Sequence, residues 1–313
     1  MRGLEPSFIK DLKDGILKDI ISRVKEDDTL DFQIRENEVH IYYRGGKILG
    51  MKSARGHYKT SFDTNYCHKL RYEEQISNLP KTIYSEEDLS QWVDAFPILK
   101  QTMDLYFAKT EKTEREFQQL VARENNNTKI ANSTDYFILD IEYTSKGQTD
   151  KGRFDMVALA WPAIASERKS NNADLAFIEM KYGKDALGGN ASITKHIKDM
   201  NDFLADKANL NVIQAEMTMV FKQKRELGLI KSISHNINEI TDISNDKPDF
   251  ILLIAGYTHR SEKLLVQLKE APPMLNANLK IATANFMGYA LYHNSIYDLN
   301  EFLAKFPNQI YSK

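Results

Sequence analysis

From Phe8 to Val24 the apolar residues Phe8, Ile9, Leu12, Ile16, Leu17, Ile20, Ile21 and Val24 recur at helical spacing, until the charged turn Lys25-Glu26-Asp27-Asp28. That spacing predicts a first helix. The pattern then shortens. TLDFQIRENEVHIYYRGGKILGMK breaks into short alternating runs at Glu36-Asn37 and Gly45-Gly46, which predicts a three-strand meander. Residues 74–110 read as helices around Pro80 and Pro97. Residues 1–110 are expected to form a smaller α+β domain.

A second pattern starts at Lys112 and is assigned to a domain of residues 111–313. TEREFQQLVAREN sets Phe117, Leu120 and Val121 on one helical face, and YFILDIEYT, RFDMVALAW and LAFIEMK follow as three strands. ASITKHIKDMNDFLAD carries Ile193, Ile197, Met200, Phe203 and Leu204 on one stripe, an amphipathic helix. A further helix is expected around Ala215 to Leu229, then the apolar strand DFILLIAGY and a last strand, LKIATAN. The order is helix, three strands, helix, strand, so the expected class is α/β. There is no internal repeat, and Asn125-Asn126-Asn127 reads as a turn.

Of the 313 residues 42% are hydrophobic and the formal net charge is -2. Such a chain can bury one large or two ordinary cores, and any anionic partner must be met by a local patch rather than by bulk charge. The single cysteine, Cys67, excludes an internal disulfide framework and fits a reducing cytoplasm. Charges interrupt the apolar residues of MRGLEPSFIKDLKDG, and no segment reaches the about 18 apolar residues of a membrane span. The expected location is cytoplasmic, with no membrane partner.

Against this background LAFIEMKYG is unusual. A core strand ends by placing Glu179 and Lys181 on either side of Met180. Side chains at i and i+2 leave a strand on one face, about 6.5 Å apart, so the acid and the base point the same way. Asp155 lies near the start of the otherwise apolar RFDMVALAW, where a carboxylate is costly unless paired or bound to a cation. If these two strands pair, Asp155, Glu179 and Lys181 converge at one strand end, an arrangement that suits Mg²⁺ with its oxygen ligands and retained waters. The alternative is a structural ion pair between Glu179 and Lys181.

These residues resemble the PD-(D/E)xK nuclease superfamily, the restriction-endonuclease-like fold, whose αβββαβ core begins its second strand with Asp and ends its third with Glu-x-Lys. TEREFQQL and IEMK are similar to the helix and strand of archaeal Holliday-junction resolvases, which makes Glu114 the matching helix acid and Glu116 the fallback. The resemblance covers residues 112 to 285 and implies a metal-dependent nuclease acting on nucleic acid, DNA before RNA, with Mg²⁺ or Mn²⁺. It implies Asp155, Glu179, Lys181 and Glu114 as catalytic residues and Glu114, Asp155 and Glu179 as metal ligands. A non-catalytic binding protein that keeps the nuclease fold is the second reading, and a homodimer is a further expected assembly. The chain departs from the family at Phe154, where a proline is usual, in the polar insertion PAIASERKSNNAD, and in lacking a helix glutamine, where Lys195 or His196 stands instead.

Glu167-Arg168-Lys169 also matches Glu-x-Lys, but within the polar insertion, and reads as a solvated loop. Pro248-Asp249 reads as a turn, Asp140 and Glu142 as an extra metal ligand or as exposed positions on an edge strand, and His259-Arg260 as a phosphate contact or as surface. Between Tyr42 and Tyr72 the cations Arg44, Lys47, Lys52, Arg55, Lys59, Lys69 and Arg71 are interleaved with tyrosines and face only Asp63. Arg44, Lys47, Lys52, Arg55 and Lys59, with Lys195 and His196, are the expected nucleic-acid contacts, because cations neutralise phosphates and aromatic faces stack on bases. An exposed hairpin with core tyrosines is the alternative.

Overall fold

The computed structural model describes residues 1–67, 72–110, 112–127, 133–145, 152–183, 192–230, 240–243, 247–256, 262–284, 291 and 296–305. His68, Lys69, Arg71, His259 and Arg260 lie outside them. The protein is a mixed α/β structure with two sheets, and it divides into two compact units, Met1–Arg123 with Met219–Lys231 and Glu124–Thr218 with Ser232–Lys313. The boundary therefore falls at Arg123, past the Thr110 expected from the sequence, and a later segment returns to the first unit.

The first unit opens with two helices where the periodicity predicts one, α1 (Pro6–Lys13) and α2 (Lys18–Glu26). They part at Gly15, where a Cβ would sit 2.7 Å from Asp11 Cα; the N–H groups of both Gly15 and Leu17 donate to the Asp11 carbonyl. The apolar stripe survives the break, since Phe8, Leu12, Leu17 and Ile20 are all fully buried.

The sheet that follows has five antiparallel strands in chain order: β1 (Leu30–Ile34), β2 (Glu38–Tyr43), β3 (Gly46–Ala54), β4 (His57–Ser61) and β5 (Thr82–Ile83). Two more strands form than the pattern predicts, because β4 and β5 are too short and too polar to stand out. Two of the hairpins turn on Arg44-Gly45 (φ 49 and 73) and Arg55-Gly56 (φ 42 and 85), the left-handed pairs that two-residue loops require. After the short α3 (Glu73–Ser77), α4 (Glu86–Phe107) starts at a capping box between Ser85 and Asp88 and continues through Pro97. It buries Leu89, Trp92, Phe96, Leu99 and Met103.

α5 (Thr113–Asn126) belongs to this unit as far as Arg123. Its Gln119 accepts the Gly45 N–H at 2.6 Å and donates to the carbonyls of Thr29 at 2.9 Å and Tyr42 at 3.1 Å. Residues 219–226 complete the unit. Gln223 accepts the Leu4 N–H and donates to the Leu4 carbonyl, while Lys224 Nζ donates to Gln33 Oε1 on β1 at 3.3 Å. Buried polar groups beside and on β1 are thereby satisfied, as burial demands.

The second unit carries β6 (Tyr136–Thr144), β7 (Arg153–Ala160), α6 (Ala165–Arg168), β8 (Asp174–Tyr182), α7 (Ile193–Leu204) and the first part of α8 (Lys207–Glu226). β9 (Asp249–Ala255), α9 (Glu262–Lys269), β10 (Asn278–Ala284), β11 (Ile296–Asp298) and α10 (Leu299–Lys305) follow. The sheet order is β11-β10-β9-β8-β7-β6; β6, β7 and β8 are antiparallel, β9 and β10 run parallel to β8, and β11 is antiparallel. β9 is buried at every position, as a strand covered on both faces should be. Phe154 on β7 meets Phe177 on β8 at 4.7 Å and Phe203 on α7 at 5.1 Å between ring centroids.

Four readings of the polar positions change. Asp140 is buried rather than exposed, because β6 is covered on both faces from Tyr136 to Ile141. Asn126 ends α5 instead of making a turn, and its side chain takes the Ile138 N–H at 2.8 Å and donates to the Ile138 carbonyl at 2.6 Å. Arg168 is half-buried, its guanidinium 4.6 Å over the Trp161 ring, while Glu167 and Lys169 are exposed as expected. Asp249, read as a turn residue, starts β9 and accepts from Tyr136 Oη at 2.7 Å and Lys280 Nζ at 2.8 Å. Among the described residues no helix is long and apolar enough to cross a membrane.

Candidate functional site

β7 begins where β8 ends, so the acid at the start of one strand meets the acid and base at the end of the other. The last paired positions are Met156 and Ile178, and carrying that register one residue further sets Asp155 opposite Glu179. The backbone ladder stops there because a side chain replaces it: Asp155 Oδ2 accepts the Met180 N–H at 2.7 Å. Asp155 is half-buried. Lys181 Nζ donates to Glu179 Oε1 at 2.6 Å, and both residues are under a tenth exposed. A buried pair this close is charge-assisted and needs its partners, because either charge left alone there would be costly. β8 then ends at Gly183, whose N–H bonds the Ala255 carbonyl of β9.

α7 brings a further group to this strand end. Its N-cap, Ser192, accepts the Lys195 N–H at 3.2 Å, which sets the first turn so that His196 Nδ1 lies 3.1 Å from Glu179 Oε1. Burial, then the Lys181 and Lys195 charges, push the His196 pKa down to about 3. Glu179 would favour a charged ring, but Lys181 already neutralises it. The imidazole is therefore neutral at pH 7 and donates through Nδ1–H. The sequence leads one to expect a cation at phosphate here; the setting of His196 is instead that of a neutral donor to Glu179. Lys195 is exposed.

Glu114, the expected helix acid, stands in the first turn of α5 and belongs to the first unit, whereas Asp155, Glu179 and Lys181 belong to the second. Glu116, the fallback, is committed within the first unit, where its two carboxylate oxygens accept from Arg44 Nε at 2.8 Å and Nη2 at 3.1 Å. Among the described residues no three His, Cys, Asp or Glu side chains gather as a group that could hold a metal ion.

The expected nucleic-acid contacts of the first unit also separate. Arg44 is held by Asp104 at 2.8 Å as well as by Glu116, and it is not available to phosphate in this arrangement. Lys52 and Lys59 are exposed and face each other across β3 and β4, and Arg55 is exposed in the turn between them. Lys47 is half-buried and acts electrostatically on Glu38. Residues that pattern reasoning misses are Gln119, Gln223 and Lys224, whose signal is only that they are polar on faces that need to be apolar.

No family model, curated protein or solved structure matches this chain. The functional reading rests on the geometry and on the motif.

Proposed function

We propose that the chain is a divalent-metal-dependent nuclease that hydrolyses phosphodiester bonds, DNA before RNA, on a restriction-endonuclease-like core formed by α5, β6, β7, β8, α7 and β9. The observation that carries this reading is the meeting of Asp155 with Glu179-Met180-Lys181 at one end of the β7–β8 pair. Bound Mg²⁺ or Mn²⁺ would polarise the scissile phosphate and lower the pKa of the attacking water. Asp155 and Glu179 would hold it. Lys181 orients Glu179 through its 2.6 Å bond and supplies positive charge for a phosphate oxygen. His196 steadies the same carboxylate from α7 without adding charge. The test is incubation with labelled single-stranded, duplex and branched DNA and RNA in Mg²⁺, Mn²⁺ or EDTA. Cleavage in metal only, strongly reduced in Asp155→Asn and in Lys181→Ala, supports the reading; circular dichroism checks that both fold, and Lys181→Ala should melt lower because it leaves Glu179 buried without its partner. Cleavage by either variant at the parent rate removes this site.

One observation favours a second reading, a binding protein without turnover. Asp155 is bonded to Met180 N, and Glu179 is shared by Lys181 and His196, so each carboxylate has a protein partner with no metal. Calorimetric titration separates the two: the enzyme binds Mn²⁺ and loses that binding in Asp155→Asn, whereas the binding protein takes up none at this site.

A further inference from the structure

We propose that the outer face of β3, β4 and β5 in the first unit binds single-stranded polynucleotide, through the Lys52–Lys59 pair and the Tyr84 ring. The proposal deepens the nuclease reading by naming the form of the substrate, and it rests on that reading only for the choice of polymer.

Some cations of this unit are committed inside it, and others, Lys10, Lys25 and Lys81 among them, make no ion pair among the described residues. Lys13, Lys18, Arg23, Arg44 and Lys100 each hold a carboxylate. Lys52, Arg55 and Lys59 make no ion pair among the described residues, although Lys52 and Lys59 lie directly opposite one another in the β3–β4 register. Like charges facing each other across strands disfavour the sheet, and an anion lying over them would relieve that repulsion. Glu38 lies directly opposite Lys52 and interacts with its charge while also bonding His40 Nε2 at 2.7 Å, so one acid offsets part of this positive face.

Beside the lysines stands an aromatic platform. Extending the Tyr58–Ile83 register by one residue sets His57 opposite Tyr84. Their rings lie 5.1 Å apart between centroids, and Tyr84 is 67% exposed. Its backbone is tied down, since the Tyr84 N–H donates to Asp88 Oδ2 at 2.9 Å at the start of α4. Lys59 pairs with Thr82, two residues before Tyr84, so the cations and the ring share one face. Cations along a backbone track with an exposed ring for a base to stack on is the chemistry of single-strand recognition. A duplex offers phosphates but no free base face, and an anionic bilayer would use the lysines and have no need of the tyrosine ring.

The test is fluorescence anisotropy with the full chain in EDTA, where no cleavage can occur, using a labelled 20-nucleotide single strand of DNA and of RNA, the matching duplex, and vesicles containing phosphatidylserine. The single strand should bind more tightly than the duplex or the vesicles. Lys52→Glu with Lys59→Glu should flatten the plot of log affinity against log salt by about 0.7 for each phosphate no longer neutralised. Tyr84→Ala should weaken single-strand binding about tenfold while Tyr84→Trp retains it, because any flat ring can stack. Circular dichroism confirms that the variants fold; Lys52→Gln with Lys59→Gln replaces the charge reversal if that pair does not. An unchanged slope together with full affinity in Tyr84→Ala overturns the proposal, as does tighter binding to vesicles or duplex than to the single strand. Binding is read in EDTA and cleavage in metal, so the nuclease reading can fail by showing no cleavage while this face stands, or hold while this face falls.

Discussion

The turns Tyr43-Arg44-Gly45-Gly46 and Ala54-Arg55-Gly56-His57 are built alike, each an Arg-Gly pair in the left-handed region closing a two-residue hairpin. Their surroundings differ completely. Around the first, a Cβ on Gly45 would collide with the Arg115 backbone, the Gly45 N–H is taken by Gln119, and Arg44 is clamped between Asp104 and Glu116. Around the second, nothing lies within 4 Å of where a Gly56 Cβ would be, and Arg55 is exposed. One arginine is part of the structure; the other is exposed. The same local rule made both turns, and only what packs over them made one structural.

The largest expected effect carries this contrast into the second unit, where Lys181 is buried on Glu179 and Lys195 is exposed. Lys181→Ala should lower cleavage by about 10² to 10³, the range for removing one preorganised electrostatic interaction at a reacting centre, while Lys195→Ala should cost a few-fold at most. Equal losses in a steady-state assay would erase the distinction between them.

The two glycines give the next largest difference. Ala at a left-handed position costs about 1–2 kcal/mol by itself, which is the whole expected cost at Gly56. At Gly45 the clash with the Arg115 backbone adds overpacking strain of about 1–3 kcal/mol. Urea denaturation should therefore show Gly45→Ala as clearly the less stable variant, and similar midpoints would mean that the Arg115 backbone gives way.

A smaller gap is expected between the arginines. Arg44→Ala strands Asp104 and Glu116 and removes three hydrogen bonds, but all three side chains are about a third exposed or more. Solvent screening then limits the loss to about 1–2 kcal/mol. Arg55→Ala should stay within about 0.5 kcal/mol. Thermal melts of the two single variants check both figures.

The smallest effect is a pH dependence in the same unit. Burial raises the Asp27 pKa, but hydrogen bonds from Lys100 and Thr29, with the Lys100 charge, outweigh it and hold the carboxyl below its ordinary value. The folded chain then binds fewer protons here than the unfolded one just below pH 4, so the contribution is complete above that pH and is lost as pH falls through the folded value. Asp27→Asn should flatten the acid limb of a stability profile below about pH 4. An unaltered limb would assign acid sensitivity to other carboxylates.

How much of this is visible in the residues can be seen from Glu179. That it shares a side with Lys181 follows from the two-residue period of a strand, and the long apolar runs of β6 to β9 mark those strands, because burial on both faces leaves a local trace. That His196 donates to Glu179, and that Asp155 caps the Met180 N–H, leaves no such trace. Each depends on a neighbour brought in from another strand or helix by the whole fold. Asp140 reads as exposed in the chain because the reading assumes an edge strand with one solvated face, whereas β6 is buried at every position from Tyr136 to Ile141.

The sequence by itself determined the longer elements and their order, since period, turn residues and apolar runs act over a few residues and need no distant partner; short or polar elements such as β4 and β5 left no such signal. Only the tertiary structure decided which polar residues are spent inside the fold and which face outward. Gln119, Gln223 and Lys224 look like surface residues in the chain, yet they satisfy buried backbone and side-chain groups up to 219 positions away. A hydrogen bond or ion pair is decided by distance in space, and no periodicity along the chain records that.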